Sequence, residues 1–165
     1  MRLPTELPRW HEELVTLNRF LHAQCDSGSQ PWRALVRHPY AYQRRAMPPV
    51  LKHALLHDLQ DGRCVWCHKL VTAPHATIEH VIPFDSALWP QMTPLAQLLS
   101  LRVSHLTCNH RYAVLRRHLP RWATAQDLWR WRAIQQVLAH DPYWACWIPQ
   151  YSMQKEGLSR VCALS

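Results

Sequence analysis

Cys64-Val65-Trp66-Cys67 places two soft sulfur ligands across a tight turn, and His105-Leu106-Thr107-Cys108 repeats the x-x spacing about forty residues later. Four ligands of that kind close one tetrahedral zinc site, so Cys64, Cys67, His105 and Cys108 are assigned to structural zinc. Redox use of a Cys-x-x-Cys pair wants it at the start of a helix in a βαβ setting. Here the pair follows Asp61-Gly62 and leads into strand-like sequence, which points to a metal clamp. Between the two halves lies Thr77-Ile78-Glu79-His80-Val81-Ile82-Pro83, an acid followed by a histidine. Glu79 and His80 are read as the chemistry that the clamp holds.

The elements that must position these residues are mostly helical. Leu7 to Gln24 carries Trp10, Leu14, Leu17 and Leu21 at helical spacing, a core stripe that Asp26 to Pro31 ends. Residues 31 to 47 interleave Arg33, Arg37, Arg44 and Arg45 with Trp32, Tyr40 and Tyr42, and the expectation is aromatics packed inward with solvated arginines. Pro48-Pro49 opens a second helix with Leu51, Leu55 and Leu59 buried, and Gly62 stops it. Residues 68 to 72 and 76 to 79 are expected to pair as a short hairpin through a Pro74 turn.

A proline-rich loop of about twenty residues follows His80, long enough to suggest a functional role, with a helical turn at Leu95 to Leu99. A third helix is expected from Ser104 or His105 to about His118, its polar face formed by Arg111, Arg116 and Arg117. The capping-box-like Thr124-Ala125-Gln126-Asp127 opens a fourth, apolar over a wide arc, to His140. From Asp141 the tryptophan-rich tail shows no period. The expected fold is therefore α+β and mostly helical, a single domain over 1–165 with a helical flank at 1–61, a core at 62–118 and a helical flank and tail at 119–165.

Composition agrees with a folded chain: 48% of residues are hydrophobic and nine are tryptophan. No stretch approaches the ~20 apolar residues of a membrane helix, and Met1 to Glu6 lacks the apolar run of a secretory signal, so the expectation is a cytoplasmic protein without a membrane. The six cysteines then read as reduced thiols. Nineteen basic against 11 acidic side chains give a net charge of +8, which suggests a polyanionic partner, most commonly nucleic acid. With three glycines and no glycine-rich loop, a mononucleotide cradle of the phosphate-loop kind is not expected.

Over residues 62 to 117, about a third of the chain, the order of these motifs resembles the HNH endonucleases, the ββα-metal fold, in their zinc-clamped form. The resemblance is carried by Cys64/Cys67, by Glu79-His80-Val81-Ile82-Pro83, by Ser100-Leu101 after the loop, and by His105/Cys108 followed by Asn109-His110. It departs from the family at His105, usually a cysteine, at Ser100, where an asparagine braces the loop behind the histidine, and at Glu79, more often aspartate. The resemblance implies a central ββα unit and a metal-dependent hydrolysis of DNA phosphodiester bonds. His80 would be the general base, and Glu79 with Asn109, or with His110 in reserve, would hold one catalytic Mg2+ or Mn2+. Ser100 would brace, and Arg111, Arg116 and Arg117 would contact phosphates.

That reading fits a restriction, anti-phage defence or mobile-element system, with a protein partner docking on the apolar fourth helix and the tail. The competing reading is a zinc-stabilised nucleic-acid-binding or adaptor module that has lost catalysis.

Overall fold

The computed structural model describes residues 7–28, 30–37 and 49–147. Tyr40, Tyr42, Arg44 and Arg45 of the interleaved segment, and the tail beyond residue 147, lie outside the described residues. Helix α1, Leu7–Asp26, buries Trp10, Leu14, Leu17 and Leu21 as one stripe. It ends as the spacing predicts, with Gly28 at φ +80 and the Ser27 hydroxyl donating to the Gln24 carbonyl at 2.7 Å. Trp32 of α2, Gln30–Leu35, is buried and meets Phe20 edge-on, as expected for an inward-packed aromatic.

Helix α3, Pro49–His53, continues into a wider π-helical turn over Ala54–Leu59. The wider winding alters the expected stripe: Leu51, Leu55 and Leu56 are buried, while Leu59 is only partly so. Asp61 and Gly62, at φ 51 and 69, then reverse the chain in the left-handed region, and Gly62 N–H closes on the Leu56 carbonyl at 2.6 Å.

The expected hairpin is corrected. Strand β1, Ala76–His80, pairs antiparallel with β2, Leu101–His105, from Ala76 opposite His105 to His80 opposite Leu101. Residues 68 to 72 cannot be its partner because their main chain is engaged in closing the knuckle. Cys64 N–H bonds Lys69 O at 2.9 Å, Val71 N–H bonds Gly62 O at 2.7 Å, and Arg63 bridges Leu70. Residues 73–75 form a 3-10 turn.

The outer edge of β2 is completed by a side chain instead of a third strand. Gln60 donates to Val103 O at 2.9 Å and accepts from Val103 N at 2.6 Å, and Val65 N–H also reaches Val103 O at 3.0 Å. These bonds satisfy backbone groups that would otherwise be buried without partners.

The connection over residues 81–100 contains α4, Pro94–Leu99, capped by Thr93 and buried from Leu95 to Leu99. Helix α5, Leu106–His118, follows β2 directly, so Ser104 lies within the strand while His105 ends the strand and stands at the helix N-cap. Helix α6, Pro120–Ala139, starts one residue later with Pro120 in its first turn. The expected cap at Thr124 is therefore also corrected, since the Thr124 hydroxyl donates back to Pro120 O at 2.9 Å inside the helix.

The tail yields a short helix, α7, Tyr143–Trp147, whose buried Trp144 indole donates to Asn18 of α1 at 2.7 Å. One hydrophobic cluster runs from Trp10 to Trp144 and includes Cys64, so the helical flanks and the sheet share a core. The described chain is mostly helical with one small antiparallel sheet, consistent with α+β. Among the described residues no helix is long and apolar enough to cross a membrane.

Candidate metal centre and strand end

Cys64, Cys67, His105 and Cys108 come together as their spacing predicts, their ligand atoms all within 4.8 Å of one another. Cys67 Sγ and Cys108 Sγ stand 3.5 and 3.8 Å from His105 Nδ1. A tetrahedral zinc with bonds of about 2.3 Å to sulfur and about 2.0 Å to nitrogen has sulfur–nitrogen edges of about 3.5 Å, close to these separations. His105 Nε2 lies 3.0 Å from Leu70 O, a donor bond that leaves Nδ1 as the ligand and fixes the ring.

The closely placed sulfur atoms perturb one another. Burial and the neighbouring Cys67 and Cys64 push the Cys108 thiol up to about 11. Cys67 is drawn down to about 7, burial being outweighed by hydrogen bonds from Lys69, Cys108, Cys64 and His105. Cys108 beside its two neighbours resists ionising, and a bound dication would remove that resistance. The donor set fits zinc, and the site ties the knuckle to the junction of β2 and α5.

Glu79 and His80 are neighbours on β1, and successive strand residues face opposite sides. The Glu79 carboxylate accepts a hydrogen bond from the Trp66 indole N–H and is buried. Trp66 stacks on Tyr112 of α5 at 3.5 Å, and Arg130 of α6 lies over the Trp66 ring at 5.2 Å. Arg130 also donates to Tyr112 Oη at 2.9 Å and to Val81 O at 3.1 Å, just past His80. Burial raises the Glu79 carboxyl above the usual range, and the hydrogen bond from Trp66, the neighbouring Ser104 and the nearby Arg130 and Arg116 offset it only in part.

Sequence reasoning missed Arg130. Its signal was its place: Gln126, Arg130, Ile134 and Val137 recur at helical spacing on the buried face of α6.

His80 faces Trp89, ring to ring at 5.1 Å and 85°, and burial lowers its pKa to about 4. Between the ordinary 6.5 and about 4, the unfolded imidazole binds a proton that the folded one refuses, so stability falls as pH falls through this window. The full effect is about 3 kcal/mol, from 1.36 kcal/mol per unit. Replacing His80 with phenylalanine is expected to remove that share of the acid sensitivity, read from urea unfolding at several pH values. An unchanged slope would mean that the imidazole titrates freely in the fold.

Ser100 is fully buried, and its contact with this strand end is made by its main chain. Val81 N–H bonds Ser100 O at 3.0 Å, whereas the Ser100 hydroxyl donates to Gln97 O at 2.7 Å within its own turn.

The remaining expected residues are less closely gathered. On α5, Asn109 is half-buried while His110, Arg111 and Arg117 are exposed. Arg116 is not on an open phosphate-facing surface: its guanidinium forks onto the buried Asp127 carboxylate of α6 with two bonds of 2.7 Å. Among the described residues, the zinc set is the one group of three or more histidine, cysteine or acidic side chains close enough to share an ion. The Glu79 carboxylate, expected to act with Asn109 or His110, is bonded to the Trp66 indole.

Comparison of the chain with protein-family profiles, with curated proteins and with solved structures finds no match.

Proposed function

We propose that this chain is a nucleic-acid phosphodiesterase of the zinc-clamped HNH kind, acting on DNA. The observation that carries this reading is the order of the centre: a strand ending in Glu79-His80, a long connection, an antiparallel partner strand, and a helix whose first turn closes the metal cluster. This is the ββα order that the resemblance implies, reached through a strand pairing different from the one expected from sequence.

His80 is neutral above about pH 4, so at neutral pH its imidazole is in the form that accepts a proton from an attacking water. The Val81–Ser100 and Val81–Arg130 bonds fix the main chain next to it. A divalent cation would supply charge neutralisation at the scissile phosphate. Glu79 with Asn109, or with His110 in reserve, would hold it. Exposed Arg111 and Arg117 on α5 supply positive charge for the phosphate backbone.

One observation favours the second reading, a zinc-stabilised nucleic-acid-binding or adaptor module. The Glu79 carboxylate is covered by Trp66 and held among Tyr112 and Arg130, a structural use of the residue that metal-dependent cleavage would need.

Cleavage of supercoiled plasmid separates the two. Purified protein with Mg2+ or Mn2+ is expected to nick or linearise the plasmid, EDTA to stop it, and His80→Ala to lower the rate by about a hundredfold or more while zinc stays bound. Zinc-loaded, folded protein that binds but does not cut with any divalent ion would overturn the nuclease reading in favour of the binding module.

A further inference from the structure

A half-open cavity of about 80 Å3 lies between the start of α1, the knuckle and the middle of α6. Trp10, Trp66 and Trp129 contribute to its lining, together with Arg9, Arg63 and Arg130. Its volume is several times the ~10–15 Å3 that a single water needs, and it opens to solvent, so part of a larger ligand can enter while the rest stays outside.

The side chains around it have unequal duties. Arg130 is held by Val81 and Tyr112, and Glu13 by Arg9 and Arg102, so these form a fixed floor. Arg9 and Arg63 are exposed. Each has one guanidinium nitrogen bonded, Arg9 Nε to Glu13 and Arg63 Nη1 to His68 O, both at 3.0 Å. An arginine offers five N–H donors, so each retains capacity at the rim.

Trp10 and Trp129 stand with ring centroids 6.1 Å apart and tilted by 45°, a splayed pair. The Trp10 indole N–H is buried and finds no hydrogen-bond partner among the described residues.

Aromatic walls and a cationic rim together describe a ligand with a planar ring and an anionic group beside it. We propose that this cavity binds one nucleotide unit, its unpaired base against the tryptophans and its phosphate on Arg9 and Arg63. Base stacking on indole tolerates any base, so the site accepts single-stranded or locally opened nucleic acid with little sequence preference. The choice of a nucleotide among planar anions rests on the nucleic-acid reading given above. In that setting the site would anchor a strand beside the metal knuckle, on the side of Trp66 where the cavity lies.

The test uses the full zinc-loaded chain, with short single-stranded oligonucleotides, free nucleoside 5′-monophosphates and duplex as probes, followed by tryptophan fluorescence and by competition. Trp129→Ala is expected to weaken oligonucleotide binding about five- to a hundredfold. Arg9→Ala and Arg63→Ala are surface changes that should weaken it several-fold and flatten its salt dependence. Arg132→Ala, an exposed charge on α6 outside the cavity, should change it less than twofold, and zinc content reports that each variant is folded.

Competition by monophosphates would identify a site for any nucleotide, and binding of oligonucleotides alone would identify a site for a nucleotide within a strand; both support the proposal. Equal binding by Arg9→Ala, Arg63→Ala and the parent, or no binding of single strands by the parent, would overturn it. Plasmid cleavage by the same proteins keeps the two claims apart. Cleavage without nucleotide binding in the cavity removes this inference alone, and cavity binding without metal-dependent cleavage removes the nuclease reading alone.

Discussion

Cys64→Ser is expected to abolish zinc binding and to lower the melting temperature more than any surface substitution in this chain. Cys64 is fully buried, and its carbonyl and amide close the knuckle on His68 and Lys69. Apparent binding free energies for structural zinc are about 10–16 kcal/mol in small peptides, comparable with the ~5–15 kcal/mol total stability of a domain. A serine hydroxyl is a poor replacement for a thiolate, so much of that term is lost, and the junction of β2 and α5 loses the clamp that joins it to residues 64–67. His105→Cys makes the contrasting case. It keeps four soft ligands, so zinc is retained, although the bond to Leu70 O disappears and some stability goes with it. Metal analysis beside thermal unfolding reads both variants. Zinc and melting temperature retained in Cys64→Ser would remove the clamp from the account.

The metal ligands were legible in the sequence because the two x-x spacings are local: each half of the site is built within one turn and needs only to be brought against the other. The buried stripe of α1 was legible for the same reason, since Trp10, Leu14, Leu17 and Leu21 declare their face by period alone. The partner of β1 was not, because the choice between residues 68–72 and Leu101–His105 depends on which main-chain groups the knuckle consumes, a non-local matter. The alternation Leu101-Arg102-Val103-Ser104-His105 was available as a strand signal, but the polar alternates Arg102 and Ser104 are buried along with the apolar ones.

The candidate site divides along the same line. His80 and Glu79 were found from their motif and do sit at a strand end. That Glu79 would be covered by Trp66, and that Arg116 would pair with Asp127, depends on how α5 and α6 lie over the sheet. Arginines on buried stripes, Arg102 and Arg130, are where a pattern reading of apolar faces loses the polar network that holds this centre.

Arg102 provides the other large effect. It is fully buried directly opposite Glu79 in the register, and its Nε reaches Glu13 of α1 at 2.9 Å. Its Nη1 donates to Leu101 O at 2.7 Å and Leu99 O at 3.1 Å, and its guanidinium lies 4.0 Å from the centre of the Trp10 ring. Burial disfavours the charged form of this arginine, and Glu13 is the carboxylate that compensates it. Glu13→Ala therefore leaves a buried cation without its counter-charge, and the expected cost is about 3–5 kcal/mol.

Replacing both residues, Glu13→Leu with Arg102→Met, removes the desolvation penalty together with the attraction. The pair is expected to lie well above Glu13→Ala in stability, within about 2 kcal/mol of the parent, because buried ion pairs exchange for apolar side chains at little net cost. Denaturant unfolding of the three proteins decides this. A double variant no more stable than Glu13→Ala would show that the bonds from Arg102 to Leu99 and Leu101, and not its charge balance with α1, hold the sheet to the helices.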